Sequence, residues 1–136
     1  MQQEVLLSNH LSQLECLLDK AEAFLEQCGV PAPLQFKIKL VLDELFTNIV
    51  SYGYPDHRED KVRITLCMEP DAFRASIDDG GIAFNPLEEA GTPNITLSAE
   101  ERPVGGLGIH LVKNLSRDIQ YRRIGNRNEV TFWIAC

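Results

Sequence analysis

Asp43-Glu44-Leu45-Phe46-Thr47-Asn48 orders the rest of this chain around it. The hexapeptide rides on Ile38, Val41, Leu42, Leu45, Phe46 and Ile49, an apolar stripe of helical period that Gly53 and Pro55 end. Leu45, Phe46 and Ile49 take the core side. Glu44 and Asn48, four residues apart, therefore share a different face of the helix, with Tyr52 continuing their line. An amide oxygen is a hard, neutral ligand for Mg²⁺, an ion normally shared with substrate phosphates and waters. A carboxylate one turn away can align or deprotonate an attacking hydroxyl or water. The same residues also suit an ordinary solvated helix face, and their identities alone do not separate the two readings.

Upstream, Val5-Leu6-Leu7 within Glu4 to Ser8 predicts an edge strand. Leu11, Leu14, Leu17, Leu18, Ala21, Phe24, Leu25 and Cys28 then predict an amphipathic helix, stopped by Gly29 and Pro31, that covers one side of a sheet. Downstream the period changes to two. Val62, Ile64, Leu66 and Met68, then Phe73, Ala75 and Ile77, predict an antiparallel hairpin turning at Pro70-Asp71. Residues 87–104 carry no period, and so long a loop in a compact domain is expected to be functional or mobile. Leu107, Ile109, Leu111, Val112 and Leu115 give a short helix, and residues 119–123 and 130–134 close with a hairpin around Gly125-Asn126. The order predicts an α+β fold: a two-layer α/β sandwich with a mostly antiparallel sheet, one domain over 1–136.

At 136 residues and 44% hydrophobic content the chain can bury a substantial core. Its net charge of −7 argues against direct, nonspecific nucleic-acid binding, which needs clustered Lys and Arg. No apolar run reaches the roughly 20 residues that span a bilayer, and Met1-Gln2-Gln3-Glu4 lacks the basic start of a secretory signal, so no membrane role is expected. Cys16, Cys28, Cys67 and Cys136 form no CxxC pair, and His10, His57 and His110 are scattered. Incidental thiols in a reducing cytoplasm fit this better than a metal cluster.

Two glycine-rich stretches complete the pattern. Asp78-Asp79-Gly80-Gly81-Ile82-Ala83-Phe84-Asn85-Pro86 follows the strand that ends at Ile77. Glycines there let a flat ring approach the backbone while the Asp79 carboxylate accepts from an exocyclic amine; an ordinary Asp-Gly turn remains the alternative. Gly105-Gly106-Leu107-Gly108 opens the last helix, where backbone N–H groups make a phosphate seat. It is not a dinucleotide fingerprint or a P-loop, because no parallel βαβ unit surrounds it and no Lys-Ser/Thr follows. Glycines needed only for a helix-entry turn are the competing account.

Together these stretches resemble the histidine-kinase-like ATPases of the Bergerat fold, most closely their anti-sigma-factor serine kinase branch (RsbW-type). The N-box is matched by residues 43–54, the first glycine box by 79–86 and the second by 105–112. The resemblance implies that Glu44 is the catalytic base, that Asn48 binds Mg²⁺, and that ATP is the nucleotide. It further implies that Asp79 meets the adenine amine with Gly81 behind the ring, and that Gly106 and Gly108 lie along the phosphates. Phe84, Gly105 and Leu107 join the nucleotide-binding set, Thr131 matches the family's adenine-side threonine, and residues 87–105 form an ATP lid. Ser51 stands where some relatives have histidine and Asn85 where many have aspartate, which leaves ATP binding intact and the rate of phosphotransfer open. By the same resemblance the chain is a cytoplasmic serine/threonine protein kinase that phosphorylates an anti-sigma-antagonist-like protein. In many relatives such a kinase also holds a sigma factor; a homodimer is a candidate assembly. An ATP-gated binding module without phosphotransfer and a plain ATPase are the alternatives.

Overall fold

Hydrophobic periods of two and of 3.6 separate cleanly in space. The computed structural model describes residues 1–88 and 106–136. Among these, strands β1 (Gln2–Ser8), β2 (Lys61–Met68), β3 (Ala72–Asp79), β4 (Asp118–Ile124) and β5 (Arg127–Ala135) form one sheet in the order β1-β2-β3-β5-β4. Every neighbouring pair is antiparallel, so the sheet predicted as mostly antiparallel is antiparallel throughout. Helices α1 (Leu14–Gln27), α2 (Ala32–Tyr52) and α3 (Gly106–Leu115) supply the second layer. The expected lid over 87–105 lies outside the described residues, except for Leu87 and Glu88.

One face of each strand meets the helices. Val62, Ile64 and Leu66 of β2, Phe73, Ala75 and Ile77 of β3, and Val130, Phe132 and Ile134 of β5 are buried. Leu17, Ala21, Phe24 and Leu25 of α1 pack there, with Ile38, Val41, Leu42, Leu45, Phe46 and Ile49 of α2 and Ile109 and Val112 of α3. Edge-on contact of Phe24 with Phe73, and Phe73 against Phe132, ties the helical layer to the central strands.

Two boundaries differ from the sequence reading. Residues Leu11–Gln13 form a 3₁₀ turn ahead of α1, whose first turn receives no side-chain cap. Helix α2 begins at Ala32, upstream of its periodic stripe, because Pro33 is tolerated in a first turn that lacks N–H partners anyway. Gly29, with φ 71°, reverses the chain between the two helices. The buried Gln35 amide then donates to the Val30 carbonyl (2.8 Å) and fastens that turn.

Candidate functional site

Helix α2 ends against the loop that follows β3. Gly53 closes the helix with its N–H on the Ile49 carbonyl (2.8 Å), and its own carbonyl accepts from the Ile82 N–H (2.9 Å). A Cβ on Gly81 would stand 2.5 Å from that Gly53 carbonyl oxygen, so only glycine permits the approach.

Asp79, the last residue of β3, is 2% exposed on the helix-covered face. Its Oδ1 accepts from the Gly81 N–H (2.9 Å) and from Asn128 Nδ2 (3.1 Å). Burial pushes the Asp79 carboxyl above the usual aspartate range, against the pull of Asn128, the Gly81 N–H and Arg127, with Asp60 adding to the rise.

Asn128 is itself locked. Its Nδ2 also donates to the Ile82 carbonyl (2.7 Å), while its Oδ1 accepts from Tyr121 Oη (2.6 Å), Arg123 Nη1 (3.1 Å) and the Phe84 N–H (3.4 Å). Arg123 Nη1 donates in addition to the Gly81 carbonyl (3.0 Å). Phe84 is buried and stacks on Tyr52, centroids 5.5 Å apart. Asp60 holds the other side of the loop, accepting from Tyr54 Oη (2.7 Å) and the Gly80 N–H (3.1 Å). Burial alone would raise the Asp60 carboxyl, but Tyr54, the Lys61 and Gly80 N–H groups and Arg127 outweigh it and hold the carboxyl low.

Toward the middle of α2 the chemistry changes. Asn48 is fully buried, and neither its Oδ1 nor its Nδ2 has a hydrogen-bond partner among the described residues. A solvated polar face is therefore excluded for Asn48. Glu44 is half-buried; burial first, and the negative charge of Asp43 second, push its carboxyl above the usual range. Asp43 also accepts from the Thr47 hydroxyl (3.3 Å). Helix α3 arrives with Gly108 against Glu44, where a Cβ would collide with the carboxylate. Gly106 opens α3, and Leu107 follows it; Gly105 lies outside the described residues.

The structure thus gathers Asp79, Gly81 and Phe84 at the C-terminal end of α2 and brings Glu44, near the middle of the helix, to Gly108. Thr131 does not join them. On β5 it faces away from the helices and meets the Ser76 hydroxyl across the strand pair (3.1 Å). A strand alternates faces at every residue, so Val130, Phe132 and Ile134 facing inward turn Thr131 outward. The residue of β5 that reaches Asp79 is Asn128, and the sequence reading passed over it. Its signal was present: the inward row, extended back by two from Val130, lands on it.

The frame is a two-layer α/β sandwich with an aspartate-and-glycine loop against the C-terminal end of α2 and a glycine-opened helix against its middle. The chain belongs to the histidine kinase-like ATPase domain family, whose profile matches residues 7–134. It is similar to the anti-sigma F factor of Bacillus subtilis, 34% identical over 84 residues, or 61% of this chain and 56% of that protein. It is also similar to the serine/threonine-protein kinase BtrW of Bordetella bronchiseptica, 28% identical over 100 residues, 74% of this chain and 70% of that one. The match thus spans little more than half the length of the anti-sigma F factor. Among solved structures, the RsbU and RsbW domains of Rv1364c from Mycobacterium tuberculosis share the fold, with a TM-score of 0.70 at 13% identity over 100% of this chain and 33% of that one. Among the described residues no helix is long and apolar enough to cross a membrane.

Proposed function

We propose that this chain is an ATP- and Mg²⁺-dependent serine/threonine protein kinase that acts in the cytoplasm as an anti-sigma regulatory factor and phosphorylates an antagonist-type partner protein. Residues 1–136 are read as one ATP-binding domain. The observation that carries the reading is the buried Asn48 amide, without a partner among the described residues, one helical turn from a glutamate whose carboxyl is raised. Burying an amide without partners costs roughly 1–3 kcal/mol, which an ordinary helix position has no reason to sustain. An amide oxygen in a hydrated phosphate site matches the hard oxygen ligands Mg²⁺ takes. The names of the relatives, an anti-sigma F factor and a serine/threonine-protein kinase, point the same way.

Distance supports the choice of nucleotide. From Glu44 to Gly53, beside Asp79, runs about 13 Å of helix at 1.5 Å per residue. That length accommodates a base, a sugar and a short phosphate chain. Asp79 accepts from the adenine amine, with Gly81 leaving room for the ring. Asn128 is a positioning residue: its amide is oriented by Tyr121 and Arg123, so its Nδ2 holds Asp79 Oδ1 and leaves the aspartate one orientation. Gly106 and Gly108 line the phosphates, and Asn48 Oδ1 would hold the metal. Held there, Mg²⁺ would supply charge neutralisation for the phosphate oxygens. Glu44 takes the proton of the attacking serine or threonine hydroxyl as its oxygen bonds to the γ-phosphorus and the bond to ADP breaks.

Purified protein incubated with labelled ATP, Mg²⁺ and an antagonist encoded beside it separates the readings. Label on the partner is expected. Capture of the partner without label would favour an ATP-gated binding module, and free phosphate alone a plain ATPase.

A further inference from the structure

Phe36, Leu40, Glu44 and Asn48 follow one another at intervals of four along α2, so they form a single ridge on the helix surface. The ridge passes from solvent to interior: Phe36 is 66% exposed, Leu40 and Glu44 are half-buried, and Asn48 is fully buried. Beside its outer half, between α1 and α2, lies a groove of about 260 Å³ lined by Leu18, Asp19 and Glu22 of α1 and Phe36, Lys39, Leu40 and Asp43 of α2. Its apolar part is Leu18, Phe36 and Leu40. Its charged rim sets three carboxylates against one ammonium, and that ammonium is already paired: Lys39 Nζ meets Glu22 Oε1 at 3.0 Å. Asp19 and Asp43 have no cation facing them among the ion pairs of the described residues.

We infer that this groove is the docking site for the segment of the protein substrate that carries the acceptor hydroxyl, and that it selects an apolar anchor together with a basic residue. The inference rests on the kinase reading. An apolar side chain seated on Phe36 and Leu40 lies on the ridge that leads to Glu44. From Phe36 to Glu44 the helix rises about 12 Å, a span that an extended segment covers in about four residues. The anchor therefore stands about four residues from the serine or threonine, with the basic side chain between them against Asp19 and Asp43. A cation at Asp43 has a second consequence, since Asp43 is one of the two causes that raise the Glu44 carboxyl. Neutralising it on docking makes the base easier to ionise when substrate is present.

The test uses synthetic peptides with one central serine, in which one leucine and one arginine are moved through the flanking positions. Each peptide, fluorescently labelled, is titrated into the protein with ATP and Mg²⁺, and phosphate transfer is followed in parallel. Binding and transfer are expected to peak with leucine about four residues from serine and arginine between them. Phe36→Ser should raise the KM and Kd of that peptide about tenfold or more while ATP affinity stays at the wild-type value, which also reports an intact fold. Asp19→Lys should turn the preference from arginine to glutamate. Transfer that ignores leucine position, or an unchanged KM in Phe36→Ser, overturns the groove and leaves the kinase reading standing. Phe36-dependent binding without transfer supports the groove and contradicts the kinase reading. No peptide binding at all, with ATP still bound, overturns the groove.

Discussion

Around Asp79 the polar side chains answer one another: the Asn128 side chain makes five hydrogen bonds, two of them fixing Asp79 and the Ile82 carbonyl, and Arg123 and Asp60 hold the glycine loop from either side. Farther back along α2, five and nine residues before Gly53, Asn48 has two buried amide atoms with no partner among the described residues and Glu44 has its carboxyl raised. Recognition of a rigid ring rewards donors and acceptors set in place before it arrives. Handling a charged, metal-bound chain and a moving proton calls for groups whose requirements are met only by the ligand. The same fold therefore spends its internal hydrogen bonds at one end and withholds them at the other.

The largest expected effect lies at the withheld end. Glu44→Gln keeps the shape and removes the charge, so ATP should bind at near wild-type affinity while phosphotransfer to the partner falls by about 10²–10⁴. Full activity in this variant would end the base assignment; loss of ATP binding would move Glu44 into the metal's surroundings. The pH profile adds a sign. Because the Glu44 carboxyl is raised and the base must be ionised, the acid limb of kcat should lie above the ordinary glutamate value of about 4.3.

At the satisfied end, Asn128→Ala removes the bonds that hold the buried Asp79 carboxylate and the Ile82 carbonyl and should cost about 2–3 kcal/mol of stability by denaturant titration. Thr131→Ala removes one hydroxyl contact on the opposite face and should leave ATP affinity unchanged. A loss of ATP affinity in Thr131→Ala would mean that the face assignment of β5 is mistaken.

Asp79→Asn should weaken ATP by about 1–3 kcal/mol, because a donor then faces the adenine amine. Its stability should move the other way. A carboxyl raised in the folded state contributes stability only while protonated and loses it as pH rises through the folded value, so ionised Asp79 burdens the fold at neutral pH. The neutral asparagine should then be more stable than wild type at pH 7, with the gain shrinking toward the ordinary aspartate value of about 3.9. Smaller still, Asn48→Leu should stabilise the protein by about 1 kcal/mol by replacing an amide that has no partner among the described residues with apolar volume. A loss of stability instead would show that the amide is satisfied within the fold.

The contrast between the two ends was partly legible in the sequence. Period-two runs placed β2, β3 and the β4–β5 hairpin, and the stripe of α2 put Leu45, Phe46 and Ile49 inward, because these patterns are local. Asp79 and Gly81 were legible for the same reason, as a strand end followed by glycines. The burial of Asn48 was not, since it depends on packing around α2 that no local pattern reports. Asn128 stood close enough to Gly125-Asn126 to pass as a turn residue, and Thr131 was taken up although the Val130, Phe132 and Ile134 alternation turns it outward. The error was one of register, where a single residue changes the face.

The proposed division, in which Asp79 reads the base and Asn48 the metal-bound phosphates, meets its most direct test in calorimetric ATP titrations of Asp79→Asn and Asn48→Ala with and without Mg²⁺. Asp79→Asn should weaken binding by the same factor in both conditions, and Asn48→Ala should weaken it only when Mg²⁺ is present. Equal loss in Asn48→Ala without the metal, or wild-type affinity in Asp79→Asn, would contradict the division.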